Sequence, residues 1–399
     1  MALQQDIRVY IVDGGLGREA SGRDWYTGII FQNSALPSGF TALERIKRIY
    51  SLAYAESLGI TEDLFPVEHY HLSEFFRLSD KFDNSVWIDV GIYDIGTGLF
   101  DGSEIQLMQD NARGELRQVG VFLQDPFATS FVTGADTVAE SLNADGYPTS
   151  VYLAADFASL ATPTDLRSLN KKWVSTIIAQ DGNGDGNALF VSEGYSITAL
   201  GAVLAGTAFA KVHERIGYVG KIDFSGVTEL QTLAICDGTL VEDLEDVQID
   251  QFNNYGYTLM VYRRRDGSYI YTDAVTASDG NSDFKEQRFN RTMGKSKRRI
   301  LEELAPLQNA PLYVNAKTGQ LTEQTIQVFD AEVRAALGTL ATNQEISIDP
   351  DTGRIPKKSV SIDPNQNVLS TNKVNIGAKI VPVGSAGEID VDLSFALAI

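Results

Sequence analysis

The sequence predicts an α/β (α+β) fold, a mixed sheet with packed helices, flanked by extended β-arms at both ends. Three observations carry this. Short apolar runs of strand length alternate with helix-length amphipathic stretches through the body, the pattern of a partly parallel sheet covered by helices. Strict period-two apolar runs occupy both ends, the signature of strands with one buried face. Of 399 residues, 43% are hydrophobic and 22% charged, ordinary globular proportions at a length that allows two or three domains.

Charge and cysteine content narrow the function. A net charge of −20 disfavours nucleic acid and anionic membrane as partners. The single cysteine, Cys236, rules out an internal disulfide and is expected in the core, not as a catalytic thiol. No basic-then-apolar leader opens the chain. The longest weakly polar run, Ile197 to Ala210, is shorter than the roughly 20 residues a spanning helix needs. A soluble chain made in a cytoplasm is expected.

Taken in order, the chain opens with alternating Ile7, Val9 and Ile11, a strand. Gly14, Gly15 and Gly17 follow, and Gly15-x-Gly17-x-x-Ala20 mimics a dinucleotide-binding turn. Such a turn must open directly into a helix. Ser21 to Asp24 interrupts it, so a hinge between arm and body is expected. Thr41 with Glu44 reads as a capping box opening a helix with Leu43, Ile46, Ile49 and Ala53 on its apolar stripe, ended by Gly59. His69-x-His71 could bind zinc from one strand face, but no further His or Cys cluster lies nearby, which favours a structural role.

Ser85 to Tyr93, Gln118 to Leu123, Ser150 to Ala154 and Lys172 to Ala179 read as buried strands, with a helix over Asp136 to Leu142. Asp181-x-Asn183-x-Asp185-Gly186 resembles half a calcium loop, but the twelfth position is Ser192 where a bidentate Glu belongs, so a polar turn is expected. The helix over Ser196 to His213 places Gly201, Ala205, Gly206 and Ala208 for close packing, and Thr228 to Tyr262 resumes strand and helix.

The charge then inverts. Tyr262 to Arg299 holds ten Lys or Arg against five Asp or Glu. Lys295, Lys297, Arg298 and Arg299 are read as opening a helix that carries Ile300, Leu301, Leu304 and Leu307, a placement that opposes the macrodipole. The segment is expected either to form a solvated face or to meet an acidic protein. Leu321 to Leu340 is a helix with Ile326, Phe329, Val333 and Leu337 on one face. A short strand over Ile346 to Ile348 and the turn Asp349 to Gly353 come next.

The chain closes on two period-two runs, Val374, Ile376, Ala378, Ile380 and then Ile389, Val391, Leu393, Phe395, Leu397, Ile399. Between them Pro382, Gly384 and Gly387 mark a turn. The second run alone extends roughly 40 Å. Six alternating apolar residues at a chain end need cover, either from the other end of the same molecule or from a neighbouring copy.

Several stretches together resemble the tail sheath family of contractile bacteriophages and related contractile injection systems. They are Tyr70 to Arg77, Ala199 to Gly206 continuing to Lys211 through Ile216, Arg291 to Arg299, and the closing run Val374 to Ile399. The usual Pro-Gly-Val-Tyr opening strand is replaced here by Arg8-Val9-Tyr10-Ile11. The resemblance implies a subunit that polymerises around an inner tube in stacked hexameric rings, with terminal arms adding strands to neighbours' sheets. It implies contraction without nucleotide hydrolysis, no cofactor, and baseplate and terminator proteins as further partners. It implies assembly in a bacterial cytoplasm into a virion tail or an injection particle.

The expected parts are an N-terminal arm and hinge (1–20), a sheath body (21–225), a tube-facing C-terminal domain (226–365) and a C-terminal hairpin arm (366–399). Inter-subunit strands are expected at Ile7, Val9, Ile11, Val374, Ile376, Ile380, Ile389, Val391, Leu393, Phe395 and Leu397. Hinges are expected at Gly14, Gly15, Gly17, Gly384 and Gly387. Tube contacts are expected from Lys295, Lys297, Arg298 and Arg299. The competing readings are an α/β nucleotide- or metal-binding enzyme using Gly14–Gly17 or Asp181–Asp185, and a secreted donor-strand adhesin. No acid, base and nucleophile stand at a recognisable spacing.

Overall fold

The structure is a computed structural model that describes residues 23–385 except 83, 85, 225–229, 231, 264–266 and 268. The expected strands at Ile7, Val9 and Ile11 and at Ile389, Val391, Leu393, Phe395 and Leu397 lie outside the described residues, as do Gly14, Gly15, Gly17 and Gly387.

The body is built on a seven-stranded sheet. Its first strand, β1 (Thr27–Gln32), is buried along its whole length, as are β3 (Ile88–Tyr93) and β5 (Ser150–Asp156) apart from its last residue. Continuous apolar runs of this kind fit parallel strands covered on both faces. The edge strand β2 (Ile46–Ile49), then β4 (Gln118–Pro126), β6 (Val174–Ile177) and β9 (Tyr257–Thr258) complete the order β2-β3-β1-β4-β5-β6-β9. All neighbours pair parallel except β2, which runs antiparallel on β3.

The helices are α1 (Leu52–Ser57), α2 (Pro66–Lys81), α3 (Ser103–Asn111), α4 (Thr129–Ala144), α5 (Asp185–Glu193), α6 (Leu200–Phe209) and α7 (Asp246–Asn254). Then come α8 (Gln287–Leu304), α9 (Glu323–Thr342) and the short α10 (Val368–Thr371). Three small antiparallel pairs join β7 (Ala179–Asp181) to β8 (Leu233–Ile235), β10 (Met260–Tyr262) to β11 (Tyr269–Tyr271), and β12 (Val360–Ile362) to β13 (Ile376–Ala378).

Helices α2 and α6 pack so closely that a Cβ at Gly201 would lie 2.2 Å from the His71 carbonyl oxygen. Gly201 serves this approach, while Gly206 of the same helix makes room for Phe224.

There are two apolar cores. The large one runs from Ile29 to Ala277 and includes Tyr257 and Tyr271. This core has members on both sides of residue 225. The small core comprises Val333, Leu337, Leu340, Ile346 and Val360, with Ile300, Leu304, Ile376 and Ile380 packed against it.

Three local expectations are corrected. Thr41 and Glu44 do make the capping contact, Glu44 N–H to Thr41 Oγ1 at 3.1 Å, but it closes a tight turn and a strand follows, with Leu43 fully exposed at the tip. The helix starts later, at Leu52, capped by Ser51, whose side chain accepts from Tyr54 N–H. His69 and His71 lie on helix α2 and not on a strand, with Pro66 in its first turn. Ile346–Ile348 forms only an isolated bridge from Ile346 to Pro382.

Candidate functional site: the charged face of helix α8

Helix α8 begins at Gln287, so Lys295 to Arg299 lie in its middle and the expected macrodipole penalty does not arise. Its buried face is polar: Gln287, Arg288, Asn290, Arg291, Thr292, Lys295 and Ser296. Each long side chain there finds a partner, as buried polar groups must. Gln287 Nε2 donates to Trp173 O at 2.8 Å, and Arg291 Nη2 donates to Thr207 O and Ala210 O at 2.9 and 3.0 Å. Arg291 thereby satisfies carbonyls at the C-terminal end of α6, where a cation also meets the negative end of the helix dipole.

Lys295 is 4% exposed. Its Nζ sits 2.6 Å from Asp24 Oδ2 and 2.5 Å from Glu345 Oε1, while Arg298 Nη2 lies 2.8 Å from Asp24 Oδ1. Desolvation raises the Glu345 carboxyl and lowers the Arg298 guanidinium from their ordinary values. Lys297 Nζ donates to the Asn143 carbonyl, and Arg299 pairs with Glu302 at 3.1 Å. Of the four cations expected to face a tube, Lys295 and Arg298 are thus engaged inside the molecule.

The start of α8 holds a second charge network. Glu286, immediately before the helix, meets Arg215 Nη2 at 2.8 Å and Arg288 Nε at 2.5 Å. Arg215 Nε is 3.0 Å from Asp273 Oδ2, out of line for a hydrogen bond. Burial, then the neighbouring Glu286 charge, pushes the Asp273 carboxyl up to about 7. Arg288 Nη1 donates to Val383 O at 3.2 Å, two residues before the described chain ends.

The path to that point is tied to the body. β13 pairs with β12, Lys379 N–H continues the ladder to Ser359 O at 2.7 Å, and Ser347 N–H donates to Val381 O at 2.8 Å. Gln366 clasps Asn375 from the side, accepting its N–H at 2.6 Å and donating to its carbonyl at 2.9 Å. Val374, Ile376 and Ile380, expected in an exchanging arm, therefore lie on this molecule's own fold, with Ile376 and Ile380 against the small core. The physical reason is that β12 beside α9 offers an unpaired edge within reach of the same chain. Gly384 has open space around the position of a Cβ.

The alternative chemical sites resolve into structural parts. Asp181 accepts backbone N–H groups of Asn183, Gly184 and Gly186 at 3.1, 2.9 and 3.1 Å, holding the start of α5. His71 is buried, its ring pushed down to about 3 by desolvation, and Nδ1 accepts from Gly201 N–H at 3.4 Å. His69 instead turns to Glu56 at 3.1 Å. Cys236 is fully buried, and desolvation raises its thiol well above the ordinary value. Among the described residues no group of three or more His, Cys, Asp or Glu could hold a metal, and no helix is long and apolar enough to cross a membrane.

The fold is that of contractile-tail sheath proteins. A chain in the cryo-EM structure of the anti-feeding prophage baseplate matches with a TM-score of 0.61 and 11% identity, covering 100% of both chains. A sheath tail protein from Desulfitobacterium hafniense matches at 0.55 and 11%, covering 95% of this chain and 97% of its own. A sheath tail protein from Listeria innocua matches at 0.54 and 12%, covering 92% and 95%. No model of a known protein family matches the sequence, and no curated protein does.

Proposed function

We propose that this chain is the structural subunit of a contractile sheath. It polymerises around an inner tube by strand exchange between copies and shortens to drive the tube through a target envelope. The observation that carries the reading, beside the shared fold, is the two-stranded sheet β12–β13. Both of its outer edges are unpaired among the described residues, and β13 leads within a few residues to Val383, which accepts from Arg288 of α8. Such edges accept added strands. The runs Ile7 to Ile11 and Ile389 to Leu397 carry the alternating apolar sequence pattern of strands to be donated, with hinges proposed at Gly14, Gly15, Gly17, Gly384 and Gly387.

Copies would stack as hexameric rings, with a tube protein inside and baseplate and terminator proteins at the ends. The particle, a phage tail or an injection device, would be built in a bacterial cytoplasm. Lys297 and Arg299, half-buried and held by the Asn143 carbonyl and by Glu302, are the two of the four cations outside the Asp24 network and would be the ones to meet an acidic tube surface. The role needs no cofactor and no catalysis. The enzyme reading loses its Asp181–Asp185 loop, because Asp181 is committed to backbone N–H groups.

Negative-stain electron microscopy of the expressed protein tests the proposal. Long tubes are expected, and deletion of residues 1–13 should abolish them while leaving a folded monomer. A monomer at all concentrations that binds nucleotide with a defined stoichiometry would overturn it.

A further inference from the structure

The first and the last described stretches of the chain meet the same helix. Asp24, the second described residue, is gripped by Lys295 and Arg298 of α8. Val383, close to the last described residue, receives its hydrogen bond from Arg288 of α8. Arg288 and Lys295 lie two helical turns apart, about 10 Å along the axis. Neither grip is a surface contact. Lys295 and Arg288 are 4% and 7% exposed, and both are locked from the far side, Lys295 by Glu345 and Arg288 by Glu286. The helix between them is fixed to the sheet by Gln287 on Trp173 O and to the end of α6 by Arg291.

We infer that α8 is a strut that positions both the segment around Asp24 and the segment around Val383, so that loosening one is felt at the other without passing through the seven-stranded sheet. A hydrophobic helix could slide on its neighbours. This one is held by buried paired charges, and removing one member of such a pair is costly. The two segments therefore share one support, and the residues that set their geometry are Asp24, Arg288, Lys295 and Arg298. In a sheath, load arriving through one arm would reach the other along α8; that consequence rests on the proposed function. The coupling does not, and it can be read in the isolated protein.

Amide hydrogen exchange on the full chain tests it. Asp24→Asn removes the charge held by Lys295 and Arg298. Exchange should rise at least roughly tenfold at residues 24–26 and also at 376–384, while β5 keeps its wild-type protection. Arg299→Gln, which removes only the Arg299–Glu302 pair, should leave both regions unchanged. No change at 376–384, a rise there only in step with β5, or an equal response to Arg299→Gln would overturn the inference. If Asp24→Asn does not fold, Arg288→Gln gives the reciprocal reading: faster exchange at 24–26 supports the strut and an unaltered rate there refutes it. A failure to form tubes bears on the proposed function and leaves this result standing.

Discussion

Asp24 and Arg298, 274 residues apart in the sequence, meet at 2.8 Å, and Lys295 closes on the other oxygen of the same carboxylate at 2.6 Å. One aspartate thus fastens the start of the body to a helix near its far end. Lys295 serves two carboxylates at once, Asp24 and Glu345, and through Glu345 it also ties in the loop that follows α9. The network joins the large core to the small one by charge where the two apolar clusters themselves are separate.

Removing the shared cation should therefore be costly. Lys295→Met leaves Asp24 and Glu345 close together without their common partner, and breaking a buried pair in this way costs about 3–5 kcal/mol. Arg299→Gln on the same helix breaks a pair whose Glu302 is half exposed, and the expected loss is below about 1 kcal/mol. Urea unfolding of the two variants beside the wild type checks both values, with the difference appearing in the midpoint at unchanged slope.

Stability against pH should show two opposed slopes. His71 is held down to about 3 from 6.5, so below pH 6.5 the unfolded chain binds a proton that the folded chain refuses, and stability rises with pH between about 3 and 6.5. Asp273 is held up to about 7 from 3.8, so the folded chain keeps a proton the unfolded one has lost, and stability falls with pH between about 4 and 7. Each slope approaches roughly 1.4 kcal/mol per pH unit, and they offset one another between about 4 and 6.5. Asp273→Asn should unmask the rise with pH over that window, and His71→Gln should unmask the fall. Denaturant midpoints measured from pH 4 to 8 would decide. Identical flat profiles for all three proteins would contradict the assignment.

Much of the body was legible because its strands are apolar runs of the expected length: β3 and β6 lie within segments the sequence marked, and β4 and β5 begin where it marked them and run on to Pro126 and Asp156. Helix α9 was legible from Phe329, Val333 and Leu337, all of which are buried. The central strand β1 was not singled out, although Ile29, Ile30 and Phe31 are buried in the core; the run is short and sits between turn-rich stretches. The first turns of α8 escaped because the helix buries a polar face, and apolar periodicity reads only apolar faces. The Asp24 network escaped for a different reason. Its members are charged residues far apart in sequence, and nothing local distinguishes them from solvated ones. Arg291 had a signal only in hindsight, as a cation available to the carbonyls ending α6.

The contact between α2 and α6 should not admit even a methyl group. At Gly201 a Cβ would meet His71 O at 2.2 Å, His71 C at 2.9 Å and His71 Cα at 3.0 Å, all backbone atoms that cannot swing aside. Gly201→Ala should destabilise by at least about 1–3 kcal/mol, the cost of overpacking. Gly338, in the interior of α9, has nothing within 4 Å of the same position. Gly338→Ala should stabilise by up to about 1 kcal/mol through helix propensity alone. Thermal unfolding of the pair would show opposite shifts.

Charge reversal at the proposed tube contact has to respect the internal pairs. Lys297→Glu with Arg299→Glu spares Asp24 and Glu345, since neither side chain touches them. The double variant should fold, stay within about 1 kcal/mol of the wild type and form sheaths. Co-assembly with the tube protein should weaken. Pull-down of the two proteins at rising salt measures this, and unaltered loading would remove both residues from the tube surface.

The open edge of β13 offers the sharpest test of strand addition. Gly377 faces Ser361 in the register, and Lys379 N–H bonds to Ser359 O, so alternation turns the N–H groups of Ile376 and Ala378 away from β12. Proline lacks that N–H and is tolerated on a strand only where the group faces solvent. Ala378→Pro should therefore leave the monomer folded, with the small core intact by near-ultraviolet circular dichroism, yet block polymerisation. Gly377→Pro removes a bond inside the ladder, and it should loosen Ile376 and Ile380 from the small core before any assembly is attempted. Sedimentation and electron microscopy separate the two effects. Sheaths of wild-type length from Ala378→Pro would mean that the edge of β13 receives no strand.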